Sequence, residues 1–440
     1  MKRIVILSMM TGLIAGCSLL ERGAGPRTPT VGNRTPVLTT EALIEVDPAL
    51  AQTPVVVPGP IANADWPQPG GNAAKAMTHV ALGATPVRLW SASIGTGSGP
   101  RARLAAEPVV ANGKVYTIDT RATVRAFDAT TGGRVWESQA RGPESSSDTL
   151  FGGGVTFDNG RIYATNGSGY ATVLDANTGA QVWQVRPGGP LRGAPTVAGG
   201  SVYVVSQDNQ LYALSSEDGR TQWTGTGAVE LTGVFGAAAP AFAQSTIVAG
   251  FSSGELTAYR YENGQVVWQD ALARTGVSTI VGNLSDIDAD PVIDNGRVFA
   301  VGQGGRMVAV ELITGQRAWE LNIAGISTPW VAGEWVFVVT DRAQLLAISR
   351  ASGKIRWMSQ LPRYRSPGNE RSGTVFWRGP LLAGGNLVLA SSTGQIVYVN
   401  PADGAIRQTA AHNTPISLPP VVANGIMYVL DDGGMLTAYR

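Results

Sequence analysis

Residues 194–223 have the sequence APTVAGGSVYVVSQDNQLYALSSEDGRTQW, and this stretch decides the fold. It contains four short segments with apolar residues, separated by a Gly-Gly turn, the polar turn QDN and the turn SEDGR. The pattern of residues 201–205, SVYVV, is typical of a strand rather than a helix. Gly-Gly and Asp-Gly pairs supply the positive φ angles that tight hairpin turns need. The stretch therefore predicts four short antiparallel strands, the last of which carries Trp223.

The same pattern recurs along most of the chain. Further copies end at Trp136, Trp183, Trp268, Trp319 and Trp357, and two weaker copies end at Arg407 and Arg440. The spacings between consecutive Trp residues of the series are 47, 40, 45, 51 and 38. A period in the forties with four strands per unit is typical of a β-propeller blade. We expect the Trp rings to wedge between neighbouring blades, because large aromatic side chains dominate burial.

The last copy stops before its fourth strand, and the missing strand occurs near the other end of the chain. Residues 86–91, PVRLWS, resemble a Trp-bearing fourth strand that has no blade before it. Pairing this strand with the last copy closes the ring and removes an exposed strand edge. The sequence thus predicts an all-β, eight-bladed propeller of four-stranded antiparallel blades, closed by an N-terminal strand. Seven blades is the alternative, if the weak copy ending at Arg407 packs differently.

The first residues have the features of a secretory signal. Lys2 and Arg3 precede an apolar run over residues 4–14, which is too short to span a bilayer as a helix. The segment ends in Ile-Ala-Gly-Cys, which resembles a bacterial lipobox and predicts lipid attachment at Cys17. An ordinary signal peptide that contains a cysteine is the alternative. Cys17 is the only cysteine of the chain, so it has no intramolecular disulfide partner.

The composition predicts three segments. Residues 1–16 form the signal peptide, residues 17–64 form a lipidated N-terminus and extended tether rich in Pro, Thr, Val and Ala, and residues 65–440 form the propeller. Ser18, rather than Asp, after the cysteine predicts the outer membrane, with the protein facing the periplasm.

Charge and motifs exclude several functions. Removing Lys2 and Arg3 with the signal lowers Lys+Arg from 33 to 31 against 32 Asp+Glu, a formal net charge of −1. Without a basic excess, nucleic acid is not an expected partner. The chain has two histidines, no GxSxG motif, no phosphate-binding loop and no further cysteine. We therefore predict that the protein is not an enzyme and binds no metal or cofactor.

The long connections all follow the fourth strand of a blade, so the sequence predicts that they lie on the same rim of the propeller. Loops on a rigid scaffold are where binding is expected. These connections are residues 138–153, 225–237, 271–289 and 359–378.

Two of these connections carry clustered charges. The third contains Asp286 and Asp288, and Asp290 follows directly after it at the same alternate spacing. This segment suits a partner-facing acidic loop, a solvated or capping loop, or a calcium loop, although the Gly and Glu of an EF-hand are absent. The fourth contains Tyr364 and several arginines, residue types that are favoured at protein interfaces. The alternative for the fourth is a mobile, solvated loop.

The repeats resemble the PQQ-type repeats of the quinoprotein dehydrogenases. That resemblance implies eight blades, a quinone on the axis, a calcium ion with acidic and amide ligands, a catalytic Asp and usually a vicinal Cys-Cys pair. A chain with one cysteine has no such pair, and it has no extended insertion of the kind that those enzymes carry.

The lipobox, the tether and the repeats together resemble the BamB family, lipoproteins of the outer-membrane β-barrel assembly machinery, over residues 17–440. Residues 284–288, LSDID, are similar to the family's LSDVD segment. The resemblance implies that Asp286 and Asp288, with Leu284 beside them, bind the POTRA domains of the central barrel protein BamA. The family also uses a Leu- and Arg-containing loop in the preceding blade, for which Leu231 is the candidate.

This resemblance implies a scaffold subunit that assembles with BamA and other Bam subunits and aids the folding and insertion of outer-membrane proteins. A PQQ-dependent dehydrogenase-like quinoprotein and a propeller that binds glycans or peptidoglycan are the alternatives.

Overall fold

The computed structural model describes residues 44–145, 150–229, 238–272 and 285–440. Within these residues the chain forms β-strands and one 3-10 turn, Pro48–Leu50. The first strands are β1 (Arg88–Ser93), β2 (Ala102–Arg103), β3 (Val109–Ala111), β4 (Lys114–Ile118), β5 (Thr123–Asp128), β6 (Arg134–Gln139), β7 (Leu150–Phe151), β8 (Val155–Asp158), β9 (Arg161–Thr165), β10 (Ala171–Asp175), β11 (Gln181–Val185) and β12 (Thr196–Ala198). Next come β13 (Ser201–Val205), β14 (Gln210–Ser215), β15 (Thr221–Thr226), β16 (Ala241–Ala243), β17 (Thr246–Gly250), β18 (Glu255–Arg260), β19 (Val266–Ala271), β20 (Val292–Asp294), β21 (Arg297–Val301), β22 (Met307–Glu311), β23 (Arg317–Leu321) and β24 (Trp330–Ala332). The last are β25 (Trp335–Val339), β26 (Gln344–Ser349), β27 (Ile355–Gln360), β28 (Tyr364–Ser366), β29 (Asn369–Thr374), β30 (Trp377–Ala383), β31 (Asn386–Ser391), β32 (Gln395–Val399), β33 (Ile406–Ala411), β34 (Val421–Ala423), β35 (Ile426–Leu430) and β36 (Met435–Tyr439).

Eight four-stranded antiparallel sheets form within the described residues, which confirms the eight-bladed propeller. Blades 1 to 7 are β3–β6, β8–β11, β12–β15, β16–β19, β20–β23, β24–β27 and β30–β33. Blade 8 has the order β1-β36-β35-β34, so an N-terminal strand completes the C-terminal blade. In that pair Trp90 lies opposite Ala438, and Ser93 lies opposite Met435. The predicted ring closure is therefore confirmed.

The connections sort onto two faces. Residues that follow the fourth strand of a blade donate backbone hydrogen bonds to the turn between the second and third strands of the same blade. Examples are Ala140 N to Ala122 O, at 2.8 Å, and Leu361 N to Ala343 O, at 2.9 Å. The turn after a third strand instead bonds the turn after the first, as Ala176 N does to Gly160 O at 2.9 Å. We call these the loop face and the short-turn face. The described residues at the ends of the long connections, such as Ala140 and Leu361, lie on the loop face.

The Trp residues at the ends of the repeats link neighbouring blades. In seven of the eight blade interfaces among the described residues, an indole N–H donates to a backbone carbonyl that follows the third strand of the next blade. The pairs are Trp90–Ala129, Trp136–Ala176, Trp183–Ser216, Trp223–Tyr261, Trp268–Leu312, Trp319–Arg350 and Trp357–Pro401, at 2.7–3.2 Å. The indole thus contributes a directional bond between blades as well as buried area. The predicted packing role of the Trp residues is confirmed.

The interface between blades 7 and 8 is different, because Gln408, which lies opposite Tyr398, occupies the position that the Trp has in the other blades. There the His412 ring bridges from one blade to the next. Its Nδ1 lies 2.8 Å from the Tyr439 hydroxyl, and its Nε2 lies 3.1 Å from Asp431 Oδ2. A buried polar chain therefore stands where the other interfaces have an indole.

A segment of residues 63–80, the hub segment, contacts the innermost strand of every blade. Its hydrogen-bonded neighbours, in the order of the hub residues, are Val422 of blade 8, Val110 of blade 1, Phe157 of blade 2, Val197 of blade 3, Phe242 of blade 4, Ile293 of blade 5, Trp330 of blade 6 and Leu382 of blade 7. Trp66 is 2% exposed and stacks on Trp330, with ring centroids 6.2 Å apart. One short stretch of chain therefore ties the whole ring together.

Residues 44–62, which were predicted to belong to the tether, also contact the blades. Asp47 N donates to Ile355 O at 2.8 Å, and the Asp47 carboxylate pairs with Lys354 Nζ at 2.9 Å. Val55 is 7% exposed and belongs to the hydrophobic core that includes blades 6, 7 and 8. The compact unit that holds the propeller accordingly begins at Ile44.

Candidate functional site

The predicted site residues divide into those that the structure describes and those that it does not. Cys17, Leu231 and Leu284 lie outside the described residues. Asp286 and Asp288 lie within them, in the connection between blades 4 and 5 on the loop face.

Both aspartates are buried in an ion-pair network with Arg192. Arg192 Nη2 lies 3.2 Å from Asp286 Oδ1 and 3.4 Å from Asp288 Oδ1. The Asp286 side chain is 0% exposed and that of Asp288 is 5% exposed. Gln303 Nε2 donates to the second carboxylate oxygen of Asp288. The network joins the connection between blades 2 and 3 to the connection between blades 4 and 5.

Alternation along the backbone explains why the two carboxylates lie together. In an extended segment successive side chains point to opposite sides, so Asp286 and Asp288 share one side and Ile287 takes the other. Ile287 is 1% exposed and packs in the core of blades 4 and 5, and its N–H donates to Phe251 O at 3.2 Å. Gly250 leaves the space for this side chain, since a Cβ there would lie 2.5 Å from Ile287 Cγ2. The buried Ile287 therefore fixes the direction of the carboxylates.

Arg192 is the functional candidate that the sequence analysis missed. Its backbone is bound on both sides: Arg192 N donates to Val205 O, and Gly153 N donates to Arg192 O, each at 2.9 Å. The neighbouring Leu191 is 1% exposed. Residues 191–192 are a Leu-Arg pair in a loop before a blade, which is the signal that could have identified them. The candidate predicted from the sequence, Leu231, has no Arg beside it.

Burial sets the electrostatics of the network. It raises the pKa of Asp288 to about 6, because a carboxylate loses hydration in the interior, and the nearby Arg192 opposes this rise. Breaking a buried ion pair on one side is strongly destabilising because the remaining charge has no compensation. The network therefore acts as a fixed support for two loop-face connections, and neither carboxylate presents a freely solvated charge.

A second buried charge cluster lies at the hub segment. Lys75 is 2% exposed, its pKa is lowered by burial, and Asp290 and Glu107 oppose that shift. Lys75 Nζ also donates to Thr196 Oγ1 at 3.1 Å. Burial raises the pKa of Asp290 to about 7, with Lys75 acting in the opposite direction. Three ionisable groups from different parts of the chain thus compensate one another inside the ring.

Lys75, Glu107, Asp290 and Arg378 line a cavity of about 110 Å³ inside the ring. Trp66 of the hub segment also lines this cavity. Pockets for drug-sized ligands have volumes of about 300–1,000 Å³. The cavity is therefore too small for a multi-ring quinone cofactor. Among the described residues, no group of three or more His, Cys, Asp or Glu side chains could hold a metal ion.

The two histidines have structural partners. His79 Nε2 accepts from Gly385 N at 2.9 Å, so its Nδ1 carries the proton and donates to Pro58 O at 2.6 Å. His412 bridges blades 7 and 8 as described above. No helix of the described residues is long and apolar enough to cross a membrane.

A protein-family model described as outer membrane protein assembly factor BamB matches residues 120–359 and 366–440. Proteins with the same description are similar to this chain over most of their length. The protein from Yersinia pestis is 26% identical over 360 residues, 81% of this chain and 89% of its own. The protein from Escherichia coli (strain K12) is 28% identical over 389 residues, 78% and 86% respectively. The protein from Vibrio cholerae is 37% identical over 258 residues, 58% and 66% respectively.

Solved structures agree on the fold. The crystal structure of BamB from Moraxella catarrhalis aligns with a TM-score of 0.68 and 19% identity, covering 81% of this chain and all of the other. A europium-containing methanol dehydrogenase aligns with a TM-score of 0.67 and 14% identity, covering 83% and 89%. Because both an assembly factor and a dehydrogenase share the ring, the fold alone does not decide the function.

Proposed function

This chain belongs to the BamB family of outer membrane protein assembly factors, and from that premise we propose that it is a lipid-anchored scaffold subunit of the barrel-assembly complex. In this proposal its loop face binds BamA through the POTRA domains, and the complex with other Bam subunits aids the folding and insertion of outer-membrane proteins. The family match supports the assembly role, and the Arg192–Asp286–Asp288 network carries the assignment of the binding face.

The network supports binding indirectly. A side chain that is 0% exposed cannot contact a partner directly, so Asp286 would act by holding the shape of the connection around it. Arg192 would do the same for the connection between blades 2 and 3. Holding loops in their bound shape before the partner arrives lowers the entropy lost on association. We therefore propose that Asp286 and Asp288 contribute to partner binding by positioning the loops. Leu284 and Leu231 are also proposed as partner-binding residues.

A lipid anchor at the N-terminus is compatible with this proposed role. We propose that Cys17 carries the lipid, that the signal of residues 1–16 is removed, and that the body lies in the periplasm at the outer membrane. An extended chain from Cys17 to Ile44 spans up to roughly 90 Å.

The test is capture of BamA from detergent-solubilised membranes by the tagged, full-length chain. We expect BamA to copurify with the unchanged protein and to be largely lost with Arg192→Met. Arg220→Glu, a substitution of an exposed arginine on the short-turn face, is the control and should retain BamA. Full recovery with a folded Arg192→Met protein would remove the site assignment, and no BamA with the unchanged protein would remove the function.

The two alternatives have simple tests. A quinoprotein would acquire quinone absorbance when purified protein is incubated with PQQ and Ca²⁺, and the small cavity predicts none. A glycan-binding propeller would stay on purified cell-wall material when the barrel-assembly complex is absent, whereas a scaffold would not.

A further inference from the structure

An exposed ribbon of two strands, β28 and β29, rises from the loop face between blades 6 and 7. Most side chains of residues 362–374 are exposed. Among the described residues, neither strand of the ribbon pairs with a third strand. Free strand edges present unpaired N–H and C=O groups, which are templates for another extended chain.

The base of the ribbon is fixed to the propeller body. Trp377 is 4% exposed and donates from Nε1 to Pro362 O at 2.9 Å. Val375, also 4% exposed, donates from its N–H to Arg363 O at 2.8 Å. Leu361, before the ribbon, is 1% exposed. Buried side chains on both sides therefore hold the ribbon in one place, and little order would have to be gained on binding.

The ribbon presents arginines that form no close ion pair with the described residues, although burial raises the pKa of Asp341 and the Arg363 charge opposes this rise. Arg363, Arg365 and Arg371 are exposed, and none has a carboxylate of the described residues within 4.0 Å. The acid within the ribbon, Glu370, accepts a hydrogen bond from the Tyr364 hydroxyl at 3.1 Å. The Arg363 guanidinium lies 5.2 Å from the centre of the Tyr364 ring, which favours a defined orientation.

We propose that this arginine ribbon binds an extended acidic segment of a protein partner by strand addition. Arginine forms two parallel hydrogen bonds to a carboxylate, and the ribbon places three exposed arginines within residues 363–371. Phosphate would satisfy the guanidinium groups equally well. The free strand edges favour a polypeptide over a lipid surface, because only a polypeptide can continue the ladder of backbone hydrogen bonds.

This surface is distinct from the proposed BamA site. The ribbon connects blades 6 and 7, whereas Arg192, Asp286 and Asp288 belong to connections between blades 2 and 3 and between blades 4 and 5. Failure of one proposal would therefore leave the other in place.

The test uses the purified full chain and a fluorescent peptide of alternating Glu and Thr. We expect the unchanged protein to bind this peptide, and Arg363→Glu, Arg365→Glu and Arg371→Glu together to weaken binding on the order of tenfold or more. The same peptide with N-methyl groups at alternate residues should also bind on the order of tenfold more weakly, because it cannot complete a strand ladder. BamA capture should be unchanged.

The matched control is the triple substitution of Arg220, Arg260 and Arg440 by Glu, three exposed arginines elsewhere in the chain. It should bind the peptide like the unchanged protein. Equal binding by the ribbon variant, or equal binding of the N-methylated peptide, would overturn the proposal. Ribbon-dependent binding to phosphatidylglycerol vesicles but not to the peptide would identify a lipid surface and also overturn it. So would self-association that the ribbon variant abolishes, since the occupant would then be a second copy.

Discussion

Trp136 Nε1 donates a hydrogen bond to the carbonyl oxygen of Ala176, 40 residues further along the chain and in the next blade, at 3.0 Å. The same indole ring lies against Gly179, where a Cβ would come within 2.7 Å of it. The glycine in the turn after each third strand and the Trp of the preceding blade therefore form one contact. This relationship joins adjacent repeats and explains why both residues recur.

Gly179→Ala should destabilise the propeller more than Gly160→Ala. Both glycines are in blade 2 and have similar positive φ angles, 75° and 76°, but nothing lies within 4 Å of the Cβ position at Gly160. The backbone cost of about 1–2 kcal/mol is common to both. The overlap with Trp136 adds about 1–3 kcal/mol at Gly179 alone. Urea unfolding of the two variants measures the difference, and equal values would show that the ring can move away.

Lys75→Met should be strongly destabilising. It removes the buried ammonium whose charge acts on Glu107 and Asp290, and it removes the hydrogen bond from Lys75 Nζ to Thr196 Oγ1; a buried charge left without compensation typically costs about 3–5 kcal/mol. Lys354→Met is the control, since the Lys354 side chain is 51% exposed and its pair with Asp47 contributes little. Thermal unfolding of both variants should show a large loss for the first only. Similar midpoints would mean that the hub segment does not stabilise the ring.

Asp290→Asn should remove a pH dependence of stability. The folded pKa, about 7, lies above the usual 3.8, so the folded state binds more protons than the unfolded state between these values. Stability from this group is therefore lost as the pH rises through that window, by at most about 1.4 kcal/mol per pH unit. Subtracting the free energy of unfolding of the variant from that of the unchanged protein at several pH values isolates the effect. A difference that does not fall with rising pH would contradict the assignment.

His412→Ala should weaken the ring between blades 7 and 8. The change leaves the Asp431 carboxylate and the Tyr439 hydroxyl without the ring that joins them, at a cost of about 1–3 kcal/mol. The other interfaces retain their indole bonds, so the loss should be local. Hydrogen exchange measured by mass spectrometry should speed up first in β33 and β36. Faster exchange spread evenly over all blades would instead show that the interface is not a separate weak point.

The repeat pattern in the sequence predicts most of the fold. Strand and turn chemistry recurs in each copy, and the missing strand of the last copy identifies Trp90 as part of the closing strand. The hub segment could not be predicted in the same way. Its partners, such as Val110 and Ile293, are adjacent only after the ring has formed, and the hub has no period of its own.

The candidate site was predictable in part. The resemblance to the LSDVD segment identified Asp286 and Asp288 as candidates, and the structure brings both carboxylates to Arg192. The sequence does not show that these carboxylates are buried, because acidic residues in a loop are ordinarily exposed. The partner that permits the burial of Asp286 is Arg192, which is 94 residues away in the sequence. Arg192 pairs with them through the ring geometry, which a linear sequence does not display.

Our proposal is that the buried network of Arg192, Asp286 and Asp288 holds the loop face in the shape that binds BamA. Its most direct test is the affinity of purified BamA POTRA domains for the propeller, measured by titration calorimetry with Arg192→Met, Asp288→Asn and the double variant. Because the residues form one network, each single change and the double change should weaken binding to a similar extent, on the order of tenfold or more. Unchanged affinity in folded variants, or losses that simply add, would contradict the account.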